Sequence, residues 1–238
     1  MQIKPIKTRI FKESEDLFSF VLEHIKKIEE KSVLVITSKI VALSEGRTRI
    51  VKNKKEKEKI IKEESQFAIK TKWAWLTIKD DIVMASAGID ESNANGKLIL
   101  LPKNSFETAR ELHKKLRKVY KIKKLGIIIT DSRTEPLRSG VTGKSVGYAG
   151  FQGIKSYVGK KDIFGRLFHF SKVSVADSLA SGAVFDMGEG NERKPLCIIE
   201  DTNICFTNRH INPKETTIPL KDDMYAPLFR QKIRLKKK

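Results

Sequence analysis

Cysteine is nearly absent from this chain: Cys197 and Cys205 are the only two, spaced too widely for a CxxC pair and without nearby paired ligands. Neither a zinc site nor a disulfide framework is therefore indicated. Long apolar runs are missing as well. No stretch approaches the roughly 20 residues needed to span a bilayer, and the opening MQIKPIKTRIFKESED has no apolar core of a signal peptide. These absences predict a cytoplasmic protein with no membrane partner. Acidic residues are outnumbered, 29 against 48 lysines and arginines, which leaves a formal charge of +19. Such a surplus raises the possibility of nucleic acid. Against it, the lysines are dispersed over residues 52–62, 114–124 and 234–238, aromatics are not interleaved with them, and no nucleic-acid module is recognisable. A lysine-rich surface with anionic small-molecule ligands is the simpler expectation.

What is present is a soluble globular composition, 39% hydrophobic and 32% charged, in a 27.1 kDa chain long enough for one large domain or two small ones. Residues 125–130 form an uninterrupted apolar run with three successive isoleucines, a strand buried on both faces, and 32–37 (SVLVIT) is a second. Residues 2–6 suit an edge strand broken by Pro5. Leu17, Phe20, Val21, His24 and Ile28 recur at helical spacing, predicting a helix over 13–30 capped by Ser14 or Asp16. A charged helix is expected over 52–70, short strands over 73–78, 81–85 and 97–101, and a helix from a Ser105 cap to about residue 118. Residues 140–153 are glycine-rich and β-like, 174–185 are helical, and 196–199 form a last strand. Beyond Asp201 periodicity fades, predicting an irregular, partly mobile tail.

Chemistry-bearing residues cluster after these elements. Asp131 follows the 125–130 run, with Ser132 and Arg138 close behind. At the carboxyl edge of an α/β sheet this trio suits a metal-bound phosphate, or Asp131 and Ser132 simply start a turn. Ser38 and Lys39 follow the SVLVIT strand, where a hydroxyl and an amine suit a phosphate, or an ordinary strand-to-helix turn. The loop 87–96 (AGIDESNANG) offers Asp90 and Asn93 as oxygen donors to one cation, or is a solvated turn; Ala94 breaks the calcium-hand pattern. Met187, Gly188, Glu189, Gly190 and Asn191 form a loop whose amides suit phosphates while Glu189 holds a metal, or a helix cap followed by a turn.

IDESN, ITDS with a downstream LRSG, GKKDIFGR, VADSLASGA and MGEG occur in one order. With these five spaced motifs the chain resembles the coenzyme F420-0:L-glutamate ligase (F420-0:gamma-glutamyl ligase) family over about residues 32–199. The resemblance implies an α/β fold (α+β mixed sheets) of two intertwined subdomains, a catalytic domain over 1–201 with an irregular basic tail over 202–238, and a homodimer. It implies an enzyme that uses GTP (or ATP) and two divalent cations, Mn2+ or Mg2+, to add L-glutamate in gamma-glutamyl linkage to a carboxylate-bearing acceptor through an acyl phosphate. Coenzyme F420-0 is the acceptor so implied; a folate, or another anionic molecule, is the alternative. Carried over by position, Asp90 and Asp131 look like ligands of one metal, Ser132 and Glu189 of the other. Ser38, Lys39, Asn93 and the loop Met187, Gly188, Gly190 and Asn191 look like nucleotide contacts, and Arg138 like a phosphate or acceptor group. Departures from the pattern are Lys7-Thr8-Arg9-Ile10-Phe11 for a Gly-Leu-Pro-like loop, Leu43 for a lysine, Glu135 for an arginine and Ser178 for an acidic residue. A non-catalytic nucleotide- and metal-binding relative and a basic nucleic-acid-binding protein are the competing classes.

Overall fold

The computed structural model describes residues 1–230, so the basic end at 234–238 lies outside the described residues. In chain order the elements are β1 (Gln2–Ile6), α1 (Leu17–His24), β2 (Ser32–Thr37), α2 (Ser38–Ser44), β3 (Thr48–Arg49), α3 (Lys54–Glu63), β4 (Phe67–Lys70), β5 (Trp75–Lys79), β6 (Ile82–Ala85), β7 (Leu98–Ile99), α4 (Ser105–Tyr120), β8 (Leu125–Thr134), β9 (Val141–Ala149), β10 (Ile154–Ser156), β11 (Lys172–Ser174), α5 (Val175–Met187) and β12 (Leu196–Glu200). Five of the strands form the main sheet, in the order β1-β12-β2-β8-β9. Its only parallel pair is β2 with β8; the other neighbours are antiparallel. The fold is thus α/β with mixed sheets.

Alternation along the two central strands explains the layering. Leu34 and Ile36 of β2 and Ile127 and Ile129 of β8 pack with Phe20, Val41 and Leu116 from α1, α2 and α4. Their neighbours Val33, Val35 and Ile128 pack on the opposite face with Ala176, Ala180 and Ala183 of α5. Because side chains alternate along a strand, a run that is apolar at every position needs cover on both sides. Pro5 sits in β1 at the sheet's edge, where one missing N–H breaks no ladder. A separate three-stranded meander, β4-β5-β6, stands beside this core. Its β5–β6 turn carries Asp80 and Asp81 at φ 50° and 62°, the left-handed pair that a tight two-residue hairpin turn requires.

Several boundaries depart from the sequence reading. The first helix is not 13–30 but eight residues, capped by Asp16, whose Oδ2 accepts from the Ser19 N–H at 2.7 Å. It stops because Ile25 turns extended and buries in the core with Ile28, while Tyr120 Oη donates to the Ile25 carbonyl at 2.5 Å. Helical spacing at Ile28 came from an extended chain reaching the same core. In 52–70 the helix ends at Glu63, and Phe67–Lys70 pairs with β5 as a strand. The 97–101 strand shrinks to Leu98–Ile99, paired with β3. Asn104, not Ser105, caps α4 by accepting from the Glu107 N–H at 3.1 Å. Strand β8 runs on to Thr134 because β9 pairs with it past a register shift at Ile129/Thr130. The segment after Asp201 is not wholly irregular: it holds two 3-10 turns, Pro213–Thr216 and Leu220–Asp222, and a short helix α6 (Ala226–Arg230), and it is fastened by Glu215, whose carboxylate accepts from Tyr148 Oη and the Gly153 N–H, both at 2.6 Å.

Helix α5 lies so close on β9 that a Cβ on Gly143 would stand 2.3 Å from the Ala180 carbonyl oxygen. Gly143→Ala is expected to cost about 2 kcal/mol through forced displacement of the helix, lowering the melting temperature by roughly 4–8 °C for a chain of this size. His113 of α4 is buried against Gly150, its Nε2 without a hydrogen-bond partner. Burial, and after it the Arg117 charge, hold the imidazole pKa down to about 4. The unfolded chain therefore binds more protons between about pH 6.5 and 4, so the stability present above 6.5 falls through that window, by on the order of 2 kcal/mol. Denaturant titrations across the window should show this slope in the native protein and lose it in His113→Gln.

Candidate active site

The parallel pair β2/β8 ends together, Thr37 opposite Thr130, and the next residues diverge. Strand β2 turns directly into α2, which puts Ser38 and Lys39 in its first turn; β8 continues with Asp131 and Ser132. Ser38 Oγ donates to Asp131 Oδ1 at 2.9 Å. Lys39 Nζ is 2.7 Å from Asp90 Oδ2 and donates to the Ser92 carbonyl and hydroxyl, each at 3.1 Å. Asp90 Oδ1 accepts from the Ser92 N–H at 2.6 Å, a short Asx-type turn that fixes the carboxylate. On the other side, Ser132 Oγ donates to Glu189 Oε1 at 2.5 Å. Asn93, in the left-handed region at φ 54°, donates its Nδ2–H to the Gly190 carbonyl at 3.0 Å. Loops far apart in sequence thus meet above the end of two buried strands, the place where open α/β sheets bind ligands.

The electrostatics are frustrated at one atom group. Burial pushes the Asp131 carboxyl up to about 6, the Ser38 hydroxyl and the Ser132 N–H pull it down, and the charges of Asp90 and Glu189 push it up again. Asp90 is itself partly buried, which raises its pKa, but Lys39 and the Ser92 N–H outweigh burial and hold it below the usual carboxylate range. Asp131 thus stands in the field of two further carboxylates with only a hydroxyl and an amide as local partners. A cation is the group that would relieve this.

Most residues named from sequence meet here, but not all. Asp131 lies within β8 rather than in a turn after it, held in the ladder opposite Lys144. Lys144 does not neutralise it, because its Nζ lies 2.5 Å from Asp177 Oδ2. Arg138 is exposed in the β8–β9 connection, and its side chain makes no hydrogen bond or ion pair among the described residues. Met187 is buried in the core against α5's neighbours, so its side chain packs rather than faces a ligand. Gly188 ends α5 at φ 82°, and Gly190 and Asn191 are exposed in the loop that follows. Two partners were not foreseen. Ser92 could have been read from its place two residues after Asp90, where an Asx turn donates its N–H. Glu192 accepts from the Gly190 N–H at 2.8 Å, so the chain's own carboxylate holds the amide that a phosphate oxygen would take. The departing segment at Lys7 to Phe11 is structural: Phe11 stacks edge-on against Phe20, and the Thr8 N–H donates to the Arg193 carbonyl. Glu135, just past the end of β8, is engaged by Arg133 of that strand.

Among the described residues, no three His, Cys, Asp or Glu side chains close around one point as a ready-made metal cage. Ser132 and Glu189 are joined by their hydrogen bond, while Asp90 and Asp131 are held separately, by Lys39 and by Ser38. All are hard oxygen donors, which fit Mg2+ or Mn2+ rather than zinc. Two protein oxygens per ion also suit Mg2+, which keeps water and phosphate oxygens in its other positions. The residues therefore fit the divalent ions that the resemblance implies.

Residues 5–201 match the family model described as F420-0:Gamma-glutamyl ligase. The coenzyme F420:L-glutamate ligase of Methanocaldococcus jannaschii is 32% identical over 231 residues, 88% of this chain and 92% of its own. That of Methanococcus maripaludis is 34% identical over 200 residues, 76% and 80% of the two chains. That of Archaeoglobus fulgidus is 28% identical over 213 residues, 82% and 85%. With a family match over most of its length and relatives of this extent, the chain belongs to the F420-0:gamma-glutamyl ligase family.

Proposed function

We propose that the protein is a nucleotide- and divalent-metal-dependent amide ligase that adds L-glutamate, in gamma-glutamyl linkage, to a carboxylate-bearing acceptor. The observation that carries this reading is Asp131, a half-buried carboxyl in the field of Asp90 and Glu189 at the end of the parallel strand pair. The relatives' names point to coenzyme F420 as the acceptor; a folate or another anionic molecule is the alternative. Asp90 with Asp131, and Ser132 with Glu189, would hold the two cations, Mn2+ or Mg2+. When bound, these ions supply charge neutralisation of the nucleotide triphosphate, the main requirement of phosphoryl transfer.

The chain's own residues do the rest. Ser38 holds Asp131 in one orientation through its 2.9 Å hydrogen bond. Lys39, poised on Asp90, is within reach of a phosphate oxygen placed between the two loops. Asn93 sets the Gly190 backbone, and the loop amides beside it become available to phosphate when the Glu192 carboxylate gives way. GTP or ATP bound there would present its γ-phosphorus to an acceptor carboxylate oxygen. The nucleoside diphosphate leaves, an acyl phosphate forms, and the glutamate amine attacks the acyl carbon; phosphate departs and the nitrogen loses its proton. Arg138, exposed in the β8–β9 connection, would meet a phosphate or acceptor oxygen. No helix among the described residues is long and apolar enough to cross a membrane; we assign the enzyme a cytoplasmic location and, with the family, a homodimeric state. A relative that binds nucleotide and metal without ligation would use the same residues, and the Arg138 side chain, without a hydrogen bond or ion pair among the described residues, is what favours that second reading.

Turnover separates the two. Hydrolysis of GTP that depends on Mn2+, glutamate and the F420 acceptor is expected to fall about 100-fold or more in Asp131→Asn, with circular dichroism unchanged. Turnover indifferent to the substitution would remove the mechanism, and GTP binding without any glutamate-dependent turnover would leave the non-catalytic reading.

A further inference from the structure

A second concave site lies next to the first. Between α3 and the β4–β5 turn is a cleft of about 460 Å³, within the range of pockets that take small ligands. Both tryptophans of the chain line it, together with five lysines: Lys52, Lys54, Lys57, Lys70 and Lys72. Its two carboxylates are already engaged, Glu58 by Lys70 at 2.8 Å and Glu91 by Lys57 at 2.5 Å. Lys52, Lys54 and Lys72 make no ion pair among the described residues, so the cleft holds uncompensated positive charge. Trp73 is 87% exposed, an indole left in water at the mouth of a cationic cleft. Lys72 Nζ stands 4.7 Å from its ring centroid, and Lys62 Nζ 5.0 Å from that of Trp75. Glu91 on the rim is the residue after Asp90, so that edge of the cleft adjoins the Asp90 loop.

Exposed aromatic faces beside free amines are the recognition chemistry of a planar ring that carries phosphate: stacking for the ring, charge for the phosphate. We infer that this cleft binds the acceptor, a phosphate-bearing molecule with a planar heteroaromatic ring, which stacks on Trp73 while its phosphate lies among Lys52, Lys54 and Lys72. The triphosphate of the co-substrate is the poorer occupant. The cleft's carboxylates are tied to lysines and leave no acidic group for a phosphate-bound cation, whereas Asp131 and its neighbours offer several. An acceptor seated here would direct its far end past Glu91 toward Asp90. Naming the occupant as the acceptor rests on the ligase reading; capture of a phosphate-bearing ring does not.

Because both tryptophans line the cleft, their fluorescence reports a flavin bound in or near it, and the substitutions assign the site. Flavin mononucleotide, with a planar ring and one phosphate, is the probe, and riboflavin is its phosphate-free control. Saturable quenching by flavin mononucleotide is expected, after correction for flavin absorption, with riboflavin about tenfold weaker or worse. The triple substitution Lys52→Gln, Lys54→Gln, Lys72→Gln should weaken the mononucleotide by about tenfold or more and erase its advantage over riboflavin, while calorimetric binding of GTP with Mn2+ stays unchanged. Trp73→Ala should weaken both flavins. The proposal is overturned if riboflavin binds as tightly as the mononucleotide, if the lysine substitutions leave the mononucleotide unaffected, or if they weaken GTP with Mn2+ equally. Native protein that captures flavin mononucleotide but not GTP with Mn2+ would contradict the ligase reading and uphold the cleft as a binding site; the reverse pattern would overturn the cleft alone.

Discussion

Like charge held at close quarters is the constraint around which this molecule is arranged. Asp131 is carried into protein surroundings by a strand it cannot leave, and Asp90 and Glu189 both raise its pKa. Burying a carboxylate is costly unless it is paired, and here the pairs are incomplete. Lys39 satisfies Asp90, Ser38 satisfies one oxygen of Asp131, and Ser132 satisfies one of Glu189. In a chain of net charge +19 it would have been simple to place a lysine against Asp131. Lys144 stands directly across the ladder and is turned instead to Asp177. A site kept short of cations by its own protein is one prepared for cations from outside, which is the sense of the two-ion proposal.

The architecture exists to hold those groups in register. Apolar cover on both faces of β2 and β8 fixes the strands, and their shared end fixes Ser38 relative to Asp131. The register shift at Ile129/Thr130 lets β8 go on past its parallel partner, so Asp131 and Ser132 gain ladder support that a loop would lack. Helix α5 lies in near contact with β9 at Gly143 and delivers the Gly188–Asn191 loop to Ser132 from the other layer. The meander β4-β5-β6 and α3 add a cationic, tryptophan-lined wall next to the Asp90 loop. Acid-lined and lysine-lined surfaces thus lie side by side, suited respectively to metal-bound and to bare phosphate.

Much of this was legible in the sequence where a single physical cause acts. The SVLVIT run and the isoleucines of β8 read as strands because both faces must be apolar, and Asp131 was placed at the correct edge for the same reason. Helix α5 read correctly from its packing residues and its Gly188 end. What failed were places where tertiary contacts decide. Ile25 and Ile28 mimic helical spacing although the chain there is extended, and Phe67–Lys70 follows a charged helix without a break that composition reveals. Arg138 and Met187 were grouped with the site by resemblance; the Arg138 side chain is exposed and that of Met187 is core. Glu192 could not be foreseen, since a carboxylate bonding the Gly190 amide depends on how a glycine loop folds back on itself. The Lys–Trp cleft was equally hidden: its lysines are dispersed in sequence and read as a solvated surface until α3 and the hairpin bring them together.

The direct test of the central claim is a count of Mn2+ bound per chain, by electron paramagnetic resonance, in the presence of a non-hydrolysable GTP analogue. The account predicts about two ions per native chain, with one lost in Asp131→Asn and one in Glu189→Gln. Manganese binding that ignores both substitutions would contradict it.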